Sequence, residues 1–126
     1  MPAQPKVLYI DDEKTSLDVL KFGLEDKGYA VSTFLSGQEA LDHLSKDEIP
    51  DVIIADLRMS PMNGFELYEQ VKKNNKFINI PFFFLTGMDD HLAQKYGQTL
   101  GVDAYVTKPV DLDNLDAIIR RKISKK

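Results

Sequence analysis

Val52-Ile53-Ile54-Ala55 is an unbroken apolar run that ends at Asp56. A strand with apolar side chains on both faces suits the centre of a parallel sheet covered on both sides. The flanking sequence supplies the covers. Toward the N-terminus, Val7-Leu8-Tyr9-Ile10 reads as another buried strand. Thr15 to Lys27 carries Leu17, Leu20 and Leu24 at helical spacing, and Gly28 is placed to end that helix. Ala30 to Leu35 reads as a strand. Ser36-Gly37-Gln38-Glu39 has the capping-box pattern, in which each end group satisfies a free backbone N–H, and a helix through Leu41 and Leu44 follows.

Toward the C-terminus, Phe65 to Lys73 predicts a helix with Leu67, Tyr68 and Val71 inward. Phe82-Phe83-Phe84-Leu85 follows Pro81 as a strand, and Ala104-Tyr105-Val106 is a shorter one. Between them, Asp89 to Leu100 predicts a helix with few large apolar residues. Leu112, Leu115, Ile118 and Ile119 mark a last helix. The pattern is a β-α unit repeated five times. Such alternation predicts an α/β fold with a parallel sheet, right-handed crossovers and helices on both faces. The chain reads as a single domain over 1–126, with its core at about 6–123 and frayed ends.

Composition narrows the function classes. A length of 126 residues suits one domain, and 43% hydrophobic residues support a core. No apolar run approaches the ~20 residues that cross a bilayer. Val7 to Ile10 is too short for a signal-peptide core, so a cytoplasmic protein without membrane contact is expected. The absence of Cys excludes disulfides, thiolate metal sites and a Cys nucleophile. A net charge of −4 argues against a nucleic-acid surface. The basic cluster Arg120, Arg121, Lys122, Lys125 and Lys126 reads as a solvated final turn complementing the helix dipole.

Polar residues stand where the apolar strands stop: Asp11 and Asp12, Asp56, Thr86 and Lys108. In an open parallel sheet, ligands bind at the carboxyl ends of the strands, so these side chains are expected to converge on one crevice. Gathered carboxylates repel one another unless a cation joins them. An all-oxygen cluster without His or Cys selects a hard cation, with Mg²⁺ the favoured choice. Mg²⁺ in turn suits phosphoryl chemistry. A carboxylate is a competent phosphoryl acceptor, Lys108 offers a point charge for a phosphoryl oxygen, and Thr86 offers a hydroxyl.

With those residues in place the chain resembles the receiver domain of two-component response regulators, close to the stand-alone chemotaxis regulators. The resemblance runs from Lys6 to about Ile123. Tyr9-Ile10-Asp11-Asp12-Glu13, Ile54-Ala55-Asp56, Met62-Asn63-Gly64, Leu85-Thr86-Gly87 and Tyr105-Val106-Thr107-Lys108-Pro109 carry it. It implies a flavodoxin-like fold with five helices around a sheet of order 2-1-3-4-5. Asp56 would be the phosphoacceptor. Asp12 would bind Mg²⁺ directly, Asp11 mainly through water, and Arg58 through its backbone carbonyl. Thr86 and Lys108 would hold phosphoryl oxygens, and Tyr105 would be the switch aromatic that turns inward as Thr86 moves. A cis Lys108–Pro109 bond would aim the lysine, and Gly87 would keep the acceptor open.

The implied function is a phosphorelay module that is not an ordinary enzyme. It would catalyse its own phosphorylation from a histidine kinase or histidine phosphotransfer protein, and slowly reverse it. The surface around Asp89–Leu100, the strand at Ala104–Val106 and the last helix would then change toward an unknown downstream protein or output domain. Three departures stand out. Proline follows Met59 after Ser60, one place later than the common pattern, and Arg58 and Met88 sit two residues after Asp56 and Thr86.

Blander readings stand beside these. Asp11 and Asp12 could cap a helix, Thr86 could be a strand-end β-branched residue, and Tyr105 an edge aromatic. Phe82 to Phe84 reads as core, and His43 and His91 as surface polarity. An alternative is a haloacid-dehalogenase-like phosphatase with Asp11 as nucleophile and Asp89-Asp90 as late acidic ligands. Glu13, two residues after Asp11, breaks that family's Asp-x-Asp motif. A further alternative is a receiver fold that is never phosphorylated.

Overall fold

The computed structural model describes residues 4–46, 48–87, 95–96 and 99–124. The strands are β1 (Lys6–Ile10), β2 (Ala30–Phe34), β3 (Val52–Asp56), β4 (Phe82–Gly87) and β5 (Ala104–Lys108). They form one sheet in the order β2-β1-β3-β4-β5, with every neighbouring pair parallel. Among the described residues the complete helices are α1 (Lys14–Asp26), α2 (Gly37–Leu44), α3 (Gly64–Lys72) and α4 (Leu112–Ile123), four where the sequence reading expects five. Of the helix expected at Asp89–Leu100, only Lys95, Tyr96, Thr99 and Leu100 are described, and they are helical. The rest of it, including Asp89, Asp90 and His91, lies outside the described residues, as do Met88, Lys125 and Lys126.

The apolar run is explained by the layers. All five residues of β3 are buried, and successive side chains of a strand leave opposite faces. Ile53 and Ala55 join Leu8, Ile10, Phe82 and Phe84 beneath Ala40, Leu44, Leu67 and Val71 of α2 and α3. Val52 and Ile54 join Val7, Tyr9, Phe83 and Leu85 beneath Leu17, Leu20 and Leu24 of α1 and Leu115 and Ile119 of α4. Phe82, Phe83 and Phe84 are fully buried, each burial contributing roughly 1.5–3 kcal/mol before entropy is counted. Phe84 meets Phe65 and Phe82 edge-on, with ring centroids 5.1 and 5.2 Å away, an arrangement that suits the ring quadrupole.

Helix ends follow local chemistry. Gly28 takes φ 101° just past α1, a conformation that an L side chain adopts only with strain. Ser36 Oγ accepts from Glu39 N–H, so the capping box foreseen there is realised in that direction. A reciprocal box stands at α3, where Asn63 Oδ1 accepts from Glu66 N–H at 2.9 Å and Glu66 Oε1 accepts from Asn63 N–H at 3.0 Å. The basic final turn is more than solvated. Arg120 Nε donates to Asp116 at 3.0 Å, its Nη2 donates to the Lys27 carbonyl at 2.8 Å, and its guanidinium lies 4.9 Å from the Tyr29 ring centroid. The His43 ring meets Phe34 at a tilt, with centroids 5.0 Å apart, and its Nε2 lies 3.5 Å from a Glu48 carboxylate oxygen. Among the described residues, no helix is long and apolar enough to cross a membrane.

Candidate functional site

Parallel register brings the acidic residues together. Ile10 pairs with Ala55 across β1 and β3, so Asp11 and Asp56 follow at adjacent strand tips. Asp11 lies two residues after Tyr9, Asp56 two after Ile54, and Lys108 two after Val106. All three reference residues sit in the α1–α4 layer, and strand alternation sends their partners to that same side. Thr86, two residues after Phe84, belongs by the same alternation to the α2–α3 side, as does Tyr105.

One carboxylate oxygen from each of Asp11, Asp12 and Asp56 lies within 4.8 Å of the others. Asp11 is fully buried, Asp56 is 7% exposed, and Asp12 is open to solvent. Lys108 Nζ donates to Asp56 Oδ2 at 3.0 Å and lies 3.5 Å from Asp11 Oδ2. Arg58 N–H donates to Asp56 Oδ1 at 3.2 Å, which fixes the other end of that carboxylate. Beside Asp12, Arg58, Ser60 and Asn63 line a cavity of about 490 Å³.

The electrostatics are uneven. Burial pushes the Asp56 carboxyl above its ordinary range; the Lys108 hydrogen bond opposes that shift and the Asp11 charge reinforces it. Burial also works to lower Lys108, but the Asp56 hydrogen bond and the charges of Asp56 and Asp11 outweigh it and hold the ammonium above its usual range. The lysine is therefore firmly charged, yet it does not restore an ordinary affinity for protons at Asp56. Among the described residues, Thr86 Oγ1 is buried without a hydrogen-bond partner, an uncommon state for a hydroxyl. An all-carboxylate donor set, incompletely compensated, with an unbonded hydroxyl at the neighbouring β4 tip, fits a hard divalent cation together with an anionic group.

The residues expected at the crevice thus come together: Asp11, Asp12, Asp56 and Lys108 directly, and Arg58 through its backbone beside Asp56. Thr86 lies at the β4 tip. Tyr105 is partly buried against Phe84, with centroids 5.6 Å apart, and burial pushes its phenol up to about 12. The Lys108–Pro109 bond is cis, as the resemblance implies, and Ser60–Pro61 is cis as well. Around the displaced proline, Met62 packs so closely on the start of α2 that a Cβ on Gly37 would meet its Sδ at 2.7 Å. Gly64 is constrained likewise, since a Cβ there would stand 2.9 Å from the Asp56 carbonyl oxygen. Gly87 ends β4 and is exposed.

One residue at the site escapes the sequence reading. The Tyr9 hydroxyl donates to Asp11 Oδ2 at 2.7 Å. Burial and that hydrogen bond push the phenol well above its ordinary range. A Tyr two positions before an Asp, on one face of a strand, is the signal that points to it.

A family model described as the response regulator receiver domain matches residues 7–120. Among solved structures, a response regulator receiver domain protein of Clostridium thermocellum is 31% identical with a TM-score of 0.88, covering 96% of this chain and 95% of that one. A chemotaxis response regulator of Vibrio cholerae is 29% identical with a TM-score of 0.85, covering 95% and 99%. The receiver domain of a signal transduction histidine kinase from Syntrophus aciditrophicus is 30% identical with a TM-score of 0.87, covering 96% and 91%.

Proposed function

Because this chain belongs to the response regulator receiver domain family, we propose that it relays a signal by accepting a phosphoryl group on Asp56 from a phosphohistidine donor. Receiver domains are signalling modules and not enzymes in the ordinary sense; promotion of the transfer by the receiver itself, and its slow reversal, belong to this reading. The donor is a histidine kinase or a histidine phosphotransfer protein. Its P–N bond breaks, the imidazole keeps the electron pair, and a bond forms from an Asp56 carboxylate oxygen to phosphorus.

The observation that carries the reading is Asp56 itself. It stands at the tip of the central strand, 7% exposed, with Lys108 Nζ 3.0 Å from Oδ2. Arg58 N–H holds Oδ1 and so orients the carboxylate. Lys108, charged and shared between Asp56 and Asp11, is placed to meet a phosphoryl oxygen. Thr86 Oγ1 supplies an uncommitted donor for another, and its engagement would bias the surface near Tyr105 between two arrangements. Asp11, Asp12 and Asp56, with the Arg58 carbonyl, are the groups that would hold Mg²⁺. When bound, the ion supplies charge neutralisation for the transferred group. Residues 6–123 act as one unit in this reading, within a single domain spanning 1–126.

The phosphatase alternative is not favoured. Asp11, its nucleophile, is fully buried and already accepts bonds on both oxygens. The test is incubation with acetyl phosphate, or with beryllofluoride, with and without Mg²⁺, read by intact mass or NMR. Wild type is expected to gain a Mg²⁺-dependent adduct that Asp56→Asn abolishes. An adduct that survives Asp56→Asn, or a wild type that stays unmodified, sinks the assignment.

A further inference from the structure

We propose that Tyr9 is a positioning residue that makes the acidic cluster prefer Mg²⁺ over the larger Ca²⁺; this rests on reading that cluster as a divalent-cation site. Tyr9 lies on β1 two positions before Asp11, which follows the strand's last residue, so both side chains leave the same face of the sheet. Its ring is 1% exposed, within the layer formed with α1 and α4. The hydroxyl reaches the Asp11 carboxylate from that layer and donates to Oδ2 at 2.7 Å. At the other end of the same carboxylate, Oδ1 accepts from Glu13 N–H at 3.0 Å.

Both Asp11 oxygens therefore have a protein donor, and the carboxylate cannot turn without breaking a bond in a fully buried position. Lys108 does not replace the hydroxyl. It stands farther from Oδ2, at 3.5 Å, is 36% exposed, and is shared with Asp56. A lysine that moves toward an arriving anion leaves Asp11, whereas a phenol anchored in the core stays. Because the phenol is neutral, it orients the carboxylate without cancelling the charge a cation needs.

Fixed orientation has a chemical consequence. Mg²⁺ demands near-octahedral geometry at about 2.0–2.1 Å and keeps several waters, while Ca²⁺ takes roughly 6–8 oxygens and accepts bidentate carboxylates. Asp11 held at both ends can present a remaining lone pair, or act through water, but cannot swing to offer both oxygens. Removing the hydroxyl leaves the Glu13 N–H as a pivot and frees that swing.

Isothermal titration of metal-free protein with Mg²⁺ and, separately, with Ca²⁺ tests this on wild type and Tyr9→Phe. The substitution deletes one oxygen and keeps the ring in place, and circular dichroism checks that the fold persists. Loss of an outer partner of a metal ligand costs roughly ten- to a hundredfold in affinity. Mg²⁺ affinity is expected to fall about tenfold, at the low end of that range, while Ca²⁺ affinity holds or rises. In an Asp11→Asn background the same Tyr9→Phe change should leave both affinities unmoved, because the group it positions is gone. Equal losses for both ions, an unchanged ratio, or an effect persisting with Asn at position 11 overturns the role of Tyr9 alone. A wild type that binds neither ion removes the metal reading and this inference with it.

Discussion

At the C-terminal tips of the strands, Asp11, Asp12 and Asp56 crowd together, Lys108 reaches two of them, and Asp56 stays above its ordinary proton affinity even with the ammonium bonded to it. Near the start of β2 the opposite holds. Asp116 accepts from the Tyr29 hydroxyl at 2.6 Å and from Arg120 Nε at 3.0 Å. Arg120 in turn donates to the Lys27 carbonyl, and Lys27 pairs with Asp113. Both regions are built from charged and phenolic groups on the same sheet face. One is left incomplete, so a cation or anion can complete it; the other is closed within the protein and ties α1, β2 and α4 together. Buried polar groups stabilise a fold when their partners are present and work against it when they are not. Removing charge should therefore have opposite signs at the two ends.

The largest effect is expected at the closed end. Asp116→Ala takes the acceptor from both Tyr29 and Arg120. Hydrogen bonds to charged groups contribute about 1.5–3 kcal/mol each, but the Arg120 side chain is 50% exposed, so its share is small. A loss of ~2 kcal/mol follows, mostly through the buried phenol. Thermal unfolding should show it as a fall in Tm of several degrees, with Tyr29→Phe giving the larger part of the same change. An unchanged Tm for Asp116→Ala would break the comparison at this end.

At the open end the sign reverses. Asp56→Asn removes a buried charge and leaves Lys108 with Asp11 and with solvent, so no cation is stranded. The metal-free protein should gain ~1 kcal/mol at neutral pH. The pH dependence follows from the raised folded-state pKa of Asp56, whose first cause is burial. A group so shifted contributes stability below its unfolded pKa, near 3.8, and loses it as pH rises through the folded value. The gap between wild type and Asp56→Asn should be small in acid and widen toward neutrality. Adding Mg²⁺ should close it by stabilising wild type. Denaturant melts at several pH values, with and without Mg²⁺, measure all three; a destabilised Asp56→Asn at neutral pH would erase the contrast.

What the sequence made legible divides along the same line. The open end is built from strand tips, and strand tips are marked by where apolar runs stop, so Asp11, Asp56, Thr86 and Lys108 could be placed from order alone. Val52 to Ala55 could be assigned to the sheet centre because two-sided burial leaves no alternation. The closed end depends on partners far apart in the chain, Lys27 with Arg120 and Tyr29 with Asp116, and no periodicity encodes such pairs. Arg120 therefore read as a solvated last turn. Tyr9 is illegible for a related reason: hydrophobic patterning counts its ring as core and ignores the hydroxyl that reaches Asp11. The Asn63–Glu66 box has a visible three-residue spacing, but the apolar pattern begins at Phe65, one residue after the helix does, and so points away from Asn63 as the cap.

The smallest expected change is also the sharpest probe of incompleteness. Thr86→Val swaps a hydroxyl for a methyl of similar shape at a position 1% exposed. At a bonded position that swap costs about 1 kcal/mol, because a partner is left unsatisfied. Here the Thr86 hydroxyl has no partner among the described residues, so the lost bond is absent from the balance and burial of an unpaired oxygen is relieved. The metal-free variant should match wild type in unfolding free energy within about 0.5 kcal/mol, or exceed it slightly. The same variant should still be modified at Asp56, since Lys108 and the acidic residues are untouched, while the NMR signals of Tyr105 should respond less to beryllofluoride than in wild type. A Thr86→Val protein that loses a full kcal/mol without metal would mean the hydroxyl is already engaged. The open end would then be as closed as the one around Asp116.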